Sequence, residues 1–147
     1  MSAESFIDTN VFVYHLDATD RRKQRIAEGI VRSALERGDA CTSAQVVQEC
    51  LNVMLRKAQI PLPPDAVGAY LDTVLLPLMQ VLSTETLYRK ALDVQVRWRF
   101  GFYDSLVVAG ALSSGCRILL SEELQHGQKI EHLTVVNPFR AEPARAR

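Results

Sequence analysis

Short apolar runs alternate along the chain with longer segments in which apolar residues recur at helical spacing. Ser5-Phe6-Ile7 reads as a short buried strand, and Val11 to Leu16 continues as an apolar segment able to begin a helix. From Asp20 to Glu36, Ile26, Ile30, Ala34 and Leu35 recur among charges, with Gly38 as a stop. Ala40-Cys41-Thr42 is the next strand candidate. Ser43 then caps a helix from Ala44 to about Lys57, with Val46, Val47, Cys50, Leu51 and Met54 on its core face. Pro61, Pro63 and Pro64 break the chain. Asp65 to Leu76 predicts a helix ended by Pro77, Met79 to Leu82 a strand, and Thr84 the cap of a helix to about Phe100, with Gly101 as the break. Asp104 opens an almost wholly apolar helix through Ala111, and Arg117 to Leu120 and Leu133 to Val136 are strands.

Strands separated by helices imply a parallel sheet. The expected fold class is therefore α/β, with three layers and functional groups gathered outside the carboxyl ends of the strands. No repeat and no Gly/Ser linker divides the 147 residues, so residues 1–139 are expected to form one domain and 140–147, with Pro and three Arg, a flexible tail.

Composition narrows the function classes. With 48% hydrophobic residues and seventeen Lys/Arg against seventeen Asp/Glu, the chain is neither a disordered polyelectrolyte nor a strongly basic nucleic-acid binder, although localised binding stays open. Glu4, Asp8, Asp17 and Asp20 near the start leave no room for a secretory signal, and the uncharged stretch from Thr73 to Thr84 is too short to span a bilayer. A soluble cytoplasmic protein without membrane partners is expected. Cys41, Cys50 and Cys116 form no CxxC pair and read as reduced core thiols.

Acidic residues recur where the predicted topology brings them together: Asp8 after a strand, Glu49 in a helix, Asp104 at a helix start, and Glu122-Glu123 after the strand ending at Leu120. Each has an ordinary explanation. Asp8 and Asp104 can cap helices; Glu49 shares a stripe with Gln45, Asn52 and Arg56 that a solvated face would also show; Glu122 and Glu123 suit the first turn of a short helix after Ser121. Jointly they say more, because carboxylates crowded on one rim repel unless a cation offsets them. Hard oxygen ligands are the preference of Mg2+ or Mn2+ at a phosphate-processing site.

Four strings, in order, resemble the PIN-domain ribonucleases, most closely the VapC-type toxins of bacterial toxin–antitoxin pairs. They are Phe6-Ile7-Asp8-Thr9-Asn10-Val11; Ser43-Ala44-Gln45-Val46-Val47-Gln48-Glu49 with Asn52-Val53; Phe102-Tyr103-Asp104-Ser105-Leu106; and Leu119-Leu120-Ser121-Glu122-Glu123-Leu124-Gln125-His126-Gly127. The resemblance covers about Ser5 to Phe139. It implies a three-layer α/β/α PIN-like domain with a mostly parallel sheet, in which Asp8, Glu49 and Asp104 are metal-binding catalytic acids and Asn10 and Ser121 line the pocket. The fourth acid of the family is usually Asp; here the position falls on Glu123, with Glu122 beside it as a substitute. The implied activity is Mg2+- or Mn2+-dependent endoribonucleolytic hydrolysis of RNA phosphodiester bonds, and the implied partners are RNA, a cognate antitoxin and a second copy of the chain.

Two other readings stay open: a PIN-like interaction module that has lost effective metal binding, and a phosphatase on a similar fold. Asp8-Thr9-Asn10 lacks the second acid of an Asp-x-Asp nucleophile motif, and neither GxGxxG nor GxxxxGK[ST] occurs. His15, His126 and His132 form no convincing general acid and base pair. Leaving Asp8, Glu49, Asp104 and Glu123 out of the balance sets seventeen basic residues against thirteen acidic, or +4, so Arg21, Arg22, Lys23 and Arg25, or Arg97 and Arg99, are phosphate-contact candidates against an ordinary solvated face. Trp98 and Phe102 are candidates for stacking on a base or for core packing. Val67, Tyr70, Leu71, Val74, Leu75 and Leu78 belong to the core or to an interface.

Overall fold

The computed structural model describes residues 3–56 and 62–140. A six-stranded sheet runs in the order β3-β2-β1-β4-β6-β5, built from β1 (Ser5–Ile7), β2 (Ala40–Ser43), β3 (Met79–Val81), β4 (Ile118–Leu120), β5 (Lys129–Ile130) and β6 (Leu133–Val136). All neighbouring pairs are parallel except β5–β6. The α/β class is as expected, and the short antiparallel β5 is an addition that two residues of sequence do not signal. Register places Phe6 beside Cys41 and Leu119, and Ile7 beside Leu120, so the carboxyl ends of β1 and β4 are level.

Helices α1 (Thr9–Leu16), α2 (Arg21–Arg37), α3 (Ala44–Arg56), α4 (Pro64–Tyr70), α5 (Leu76–Leu78), α6 (Glu85–Trp98) and α7 (Phe102–Ser113) connect the strands. Asp20 caps α2 through Lys23 N, and Gly38 ends it with φ 68°, a conformation that glycine adopts without a side-chain penalty. Thr84 caps α6 through Leu87 N. The end expected for α3 at Lys57 and the tail beyond Arg140 lie outside the described residues.

Three expectations are corrected. The fully buried stripe of α2 is Ala27, Val31 and Ala34; of the expected residues Ala34 is buried, Ile26 and Ile30 pack on the core from the side and line an open cleft of about 490 Å³, and Leu35 is exposed. Pro77 does not end its helix. The chain widens into a π-helical segment over Leu71–Leu75, closed by Leu76 N donating to Leu71 O, and α5 continues it through Pro77 to Leu78, the widened turn making room for a ring that a regular turn would exclude. Helix α6 stops at Arg99, in the left-handed region at φ 60°, two residues before the glycine expected to break it.

Phe6, Ile7, Phe12, Leu75, Leu119 and Leu133 are fully buried. Val67, Tyr70, Val74, Leu75 and Leu78 join this core and Leu71 packs on it, so the apolar excess between the prolines is interior. The three cysteines are free and buried. Among the described residues, no helix is long and apolar enough to cross a membrane. Gly110, on the buried helix α7, would present a Cβ 3.4 Å from the Phe6 ring and 3.8 Å from Val81, ordinary contact distances. Gly110→Ala is therefore expected to stabilise the fold by about 0.5–1 kcal/mol through helix propensity, and Gly110→Leu to destabilise it by about 1–3 kcal/mol through overpacking; thermal unfolding of the two variants checks the opposite signs.

Candidate active site

Asp8 is the residue immediately after β1. Its backbone N–H still donates to Leu120 O across the sheet, while its carboxylate turns to cap α1, accepting from Thr9 N at 2.8 Å. The second oxygen accepts from Ser121 Oγ at 2.8 Å, and that hydroxyl in turn accepts from the amides of Glu123 and Leu124. Ser121 therefore turns the chain after β4 in a bend; the short helix expected there is absent, although the serine oxygen receives the two amides as a helix cap would.

Glu49 is half-buried, and each of its oxygens has one neutral donor: Thr9 Oγ1 at 2.6 Å and Gln45 Nε2 at 2.8 Å. The polar stripe of α3 is therefore solvated only at its far end, where Asn52 and Arg56 are exposed; Gln45 is 5% exposed. The Gln45 amide also donates to the Tyr103 carbonyl at 3.2 Å. Both contacts of Nε2 are acceptors, which fixes the orientation of the amide and leaves Gln45 Oε1 buried with no partner among the described residues. Through this one side chain, Glu49 on α3 is joined to the first turn of α7.

Asp104 lies in that first turn but does not cap it. The N-cap is Gly101, with no side-chain cap bond, so α7 starts two residues before the expected position and the Asp104 carboxylate is left for the rim. Glu123 arrives from the β4 bend, with Asn10 hydrogen-bonded to its carboxylate. Adjacent Glu122 points elsewhere: it accepts from Tyr14 Oη at 2.6 Å and pairs with Lys23 Nζ at 2.7 Å. Burial works to raise the Glu122 carboxyl, but Lys23 and Tyr14 outweigh it and hold it below its ordinary value. The two neighbouring glutamates are thereby separated, Glu123 to the acids and Glu122 to an ion pair.

The four carboxylates act on one another electrostatically. Burial pushes the Asp8 carboxyl from 3.8 up to about 6; the Ser121 and Thr9 hydrogen bonds oppose the rise, and Glu123 and Glu49 add to it. Asp104 is raised by burial and then by Glu49. Glu123 is raised by burial, Asp104 and Glu49, against Asn10. Every pair among the four acids is coupled except Asp8 with Asp104, and no lysine, arginine or histidine offsets them in these interactions. The donors are all hard oxygen, the type that suits a small divalent cation. Among the described residues no three acidic, histidine or cysteine side chains stand close enough together to hold a metal ion.

Several candidates fall outside the site. His15 bridges Glu28 and Tyr70, and His126 Nδ1 accepts from Asn137 N, both structural ties. Arg22 donates to the Phe139 carbonyl, Lys23 is spent on Glu122, and Trp98 packs on the core. Thr9 and Gln45 are the site residues that sequence reasoning passed over; the helical step of four from Gln45 to Glu49 was the available signal.

The raised Asp8 carboxyl makes a stability test possible. A group with a higher pKa folded than unfolded adds stability that is present below the unfolded value and lost as pH rises through the folded one. For Asp8 that window runs from 3.8 to about 6, and the cost of ionisation corresponds to about 3 kcal/mol at neutral pH. Without added metal, Asp8→Asn should unfold at a higher temperature than the parent at pH 7.5, the difference shrinking towards zero near pH 4. Equal unfolding temperatures throughout would remove the buried-charge account.

The sequence pattern of the PIN domain matches residues 5–126, a span holding all four acids. No curated protein matches the sequence significantly. Among solved structures the chain is similar to VapC20 of Mycobacterium tuberculosis, a sarcin-ricin loop cleaving toxin, with TM-score 0.60, 20% identity and 78% of this chain covering 86% of that one. It is similar also to a toxin–antitoxin complex from Klebsiella pneumoniae, with TM-score 0.64, 13% identity and coverage of 91% and 97%. FitAcB from Neisseria gonorrhoeae gives TM-score 0.62, 17% identity and coverage of 93% and 99%. At these identities the neighbours establish the fold, and the pattern match over residues 5–126 establishes the lineage: the chain belongs to the PIN-domain family.

Proposed function

We propose that this protein is a divalent-metal-dependent endoribonuclease acting in the cytoplasm as the toxin of a toxin–antitoxin pair. The observation that carries the reading is the gathering of Asp8, Glu49, Asp104 and Glu123 at the carboxyl end of a parallel sheet, where Asp8, Asp104 and Glu123 are raised by burial and by the other acids and, among the described residues, no cation figures among the causes. Such a grouping is costly unless its counter-ion arrives from solution. Support for the substrate and the partner comes from the fold neighbours, among them a sarcin-ricin loop cleaving toxin and a toxin–antitoxin complex. An antitoxin and a second copy of the chain belong to the same proposal.

In this reading Asp8, Glu49, Asp104 and Glu123 hold Mg2+ or Mn2+, with Asn10 and Ser121 in support. The bound ion would supply an acidified water and offset charge on the phosphate during in-line displacement. The chain's own contribution is orientation. Thr9 N and Ser121 Oγ fix both Asp8 oxygens, Thr9 Oγ1 and Gln45 Nε2 fix both Glu49 oxygens, and Asn10 steadies Glu123. Neutral donors hold the carboxylates in place without cancelling the charge that an ion requires.

The interaction-module reading draws on the lack of a closed ligand set among the described residues, and one experiment separates the two. Purified protein is incubated with labelled total RNA in Mg2+ or Mn2+, with a chelator, and as Asp8→Asn and Asp104→Asn prepared identically. Discrete fragments that need metal and fall by about 100-fold or more in both variants are expected, the size of effect that misplaced metal ligation produces. A folded, antitoxin-free protein that yields no fragments would leave the module reading, and equal cleavage by both variants would point to a contaminating nuclease.

A further inference from the structure

Two large aromatic side chains stand uncovered in the first turn of α7, the turn that carries Asp104. Tyr103 is 68% exposed and Phe102 42%, and among the described residues the Tyr103 hydroxyl has no hydrogen-bond partner. Their rings meet edge to face, with centroids 5.4 Å apart and planes at 72°. Two rings so arranged make a corner in which a planar heterocycle laid on one face is met at its edge by the other ring. The corner is held firmly, because the Tyr103 carbonyl accepts from Gln45 Nε2 at 3.2 Å and the same nitrogen donates to Glu49 at 2.8 Å. Tyr103 also directly precedes Asp104, about 3.8 Å away from Cα to Cα. Exposed Arg99 lies in the turn leading into the same segment, available to a phosphate.

We infer that Phe102 and Tyr103 form a stacking platform for an unpaired nucleobase next to the phosphate presented to the acids. The inference rests on the nuclease reading and deepens it by naming the side chains that would meet a base beside the phosphate; a base within a duplex has no free face to offer them. Trp98, the other aromatic candidate, packs on the core and cannot serve. Stacking is tolerant of base identity because every base has a π-face, so the platform selects for unpaired geometry and leaves sequence choice to other contacts. Aromatic rings suit the task, as they give large contact area for few rotatable bonds.

The test is equilibrium binding, with a chelator present to prevent cleavage, of single-stranded RNA carrying 2-aminopurine, alongside the same strand in a duplex. Quenching of the fluorescent base reports stacking directly. The parent should quench the single strand and bind the duplex more weakly. Tyr103→Ala should weaken single-strand binding by about tenfold and abolish most of the quenching, whereas Tyr103→Phe, which keeps the ring, should restore both. Phe102→Ala gives a second variant, Tyr88→Ala on exposed α6 should bind as the parent does, and circular dichroism establishes that each variant is folded. Parental binding and quenching by Tyr103→Ala in a protein that still cleaves RNA with metal would overturn the platform alone. Failure of the parent both to bind and, with metal, to cleave RNA would overturn the nuclease reading and the platform with it. A change in oligomeric mass on Tyr103→Ala, with RNA binding unaltered, would assign the rings to a protein contact instead.

Discussion

The arrangement of the site depends on a carboxylate placed where water scarcely reaches it. Asp8 is 4% exposed, carries a backbone bond that continues the β1–β4 pairing and uses its side chain to start α1 and to hold Ser121. The end of one strand, the beginning of one helix and the bend after another strand therefore meet at a single charged group. Hydrogen bonds from Thr9 and Ser121 recover part of the lost hydration, and Glu49 and Glu123 add repulsion in return. A fold that keeps such a group has accepted local instability, which is characteristic of sites built to receive a ligand.

The surroundings follow from that constraint. Around Asp8 and Glu49 the donors are an amide, two hydroxyls and a side-chain amide, groups that orient an anion and leave its charge available. Lys23, the lysine engaged by the β4 bend, is kept on Glu122 and over the Tyr14 ring at 4.4 Å. That pair anchors the bend to α1 and α2, so that Glu123, one residue further on, reaches the acids from a fixed backbone. An aspartate at this position would have a shorter reach; here the longer glutamate is matched by an Asn10 contact on its carboxylate.

Periodicity and capping made most of the architecture legible. The parallel α/β order, the Asp20 and Thr84 caps and the Gly38 stop all follow from local chemistry, and the acids themselves could be named from their places after strands and in helices. The failures share a cause: they are decided by groups distant in sequence. Glu122 and Glu123 are indistinguishable until Lys23 and Tyr14 claim one of them. Gln45 looks like part of a solvated stripe until α7 covers it and takes its amide. On α2, two adjacent stripes satisfy the same helical spacing, and close packing chose the smaller residues. Pro77 reads as a stop because a regular α-turn is assumed, whereas a widened turn admits it.

The central claim is that these carboxylates form one site for a divalent cation, with Asp8 protonated in part until the cation binds. Isothermal titration of Mn2+ into the protein at pH 6, in buffers of differing ionisation enthalpy, measures affinity and proton release together. The account expects saturable binding at a common site with protons released at pH 6 and fewer at pH 8, where Asp8, raised to about 6, has already lost its proton. Absence of saturable binding, or binding with the same proton release at both pH values, would contradict it.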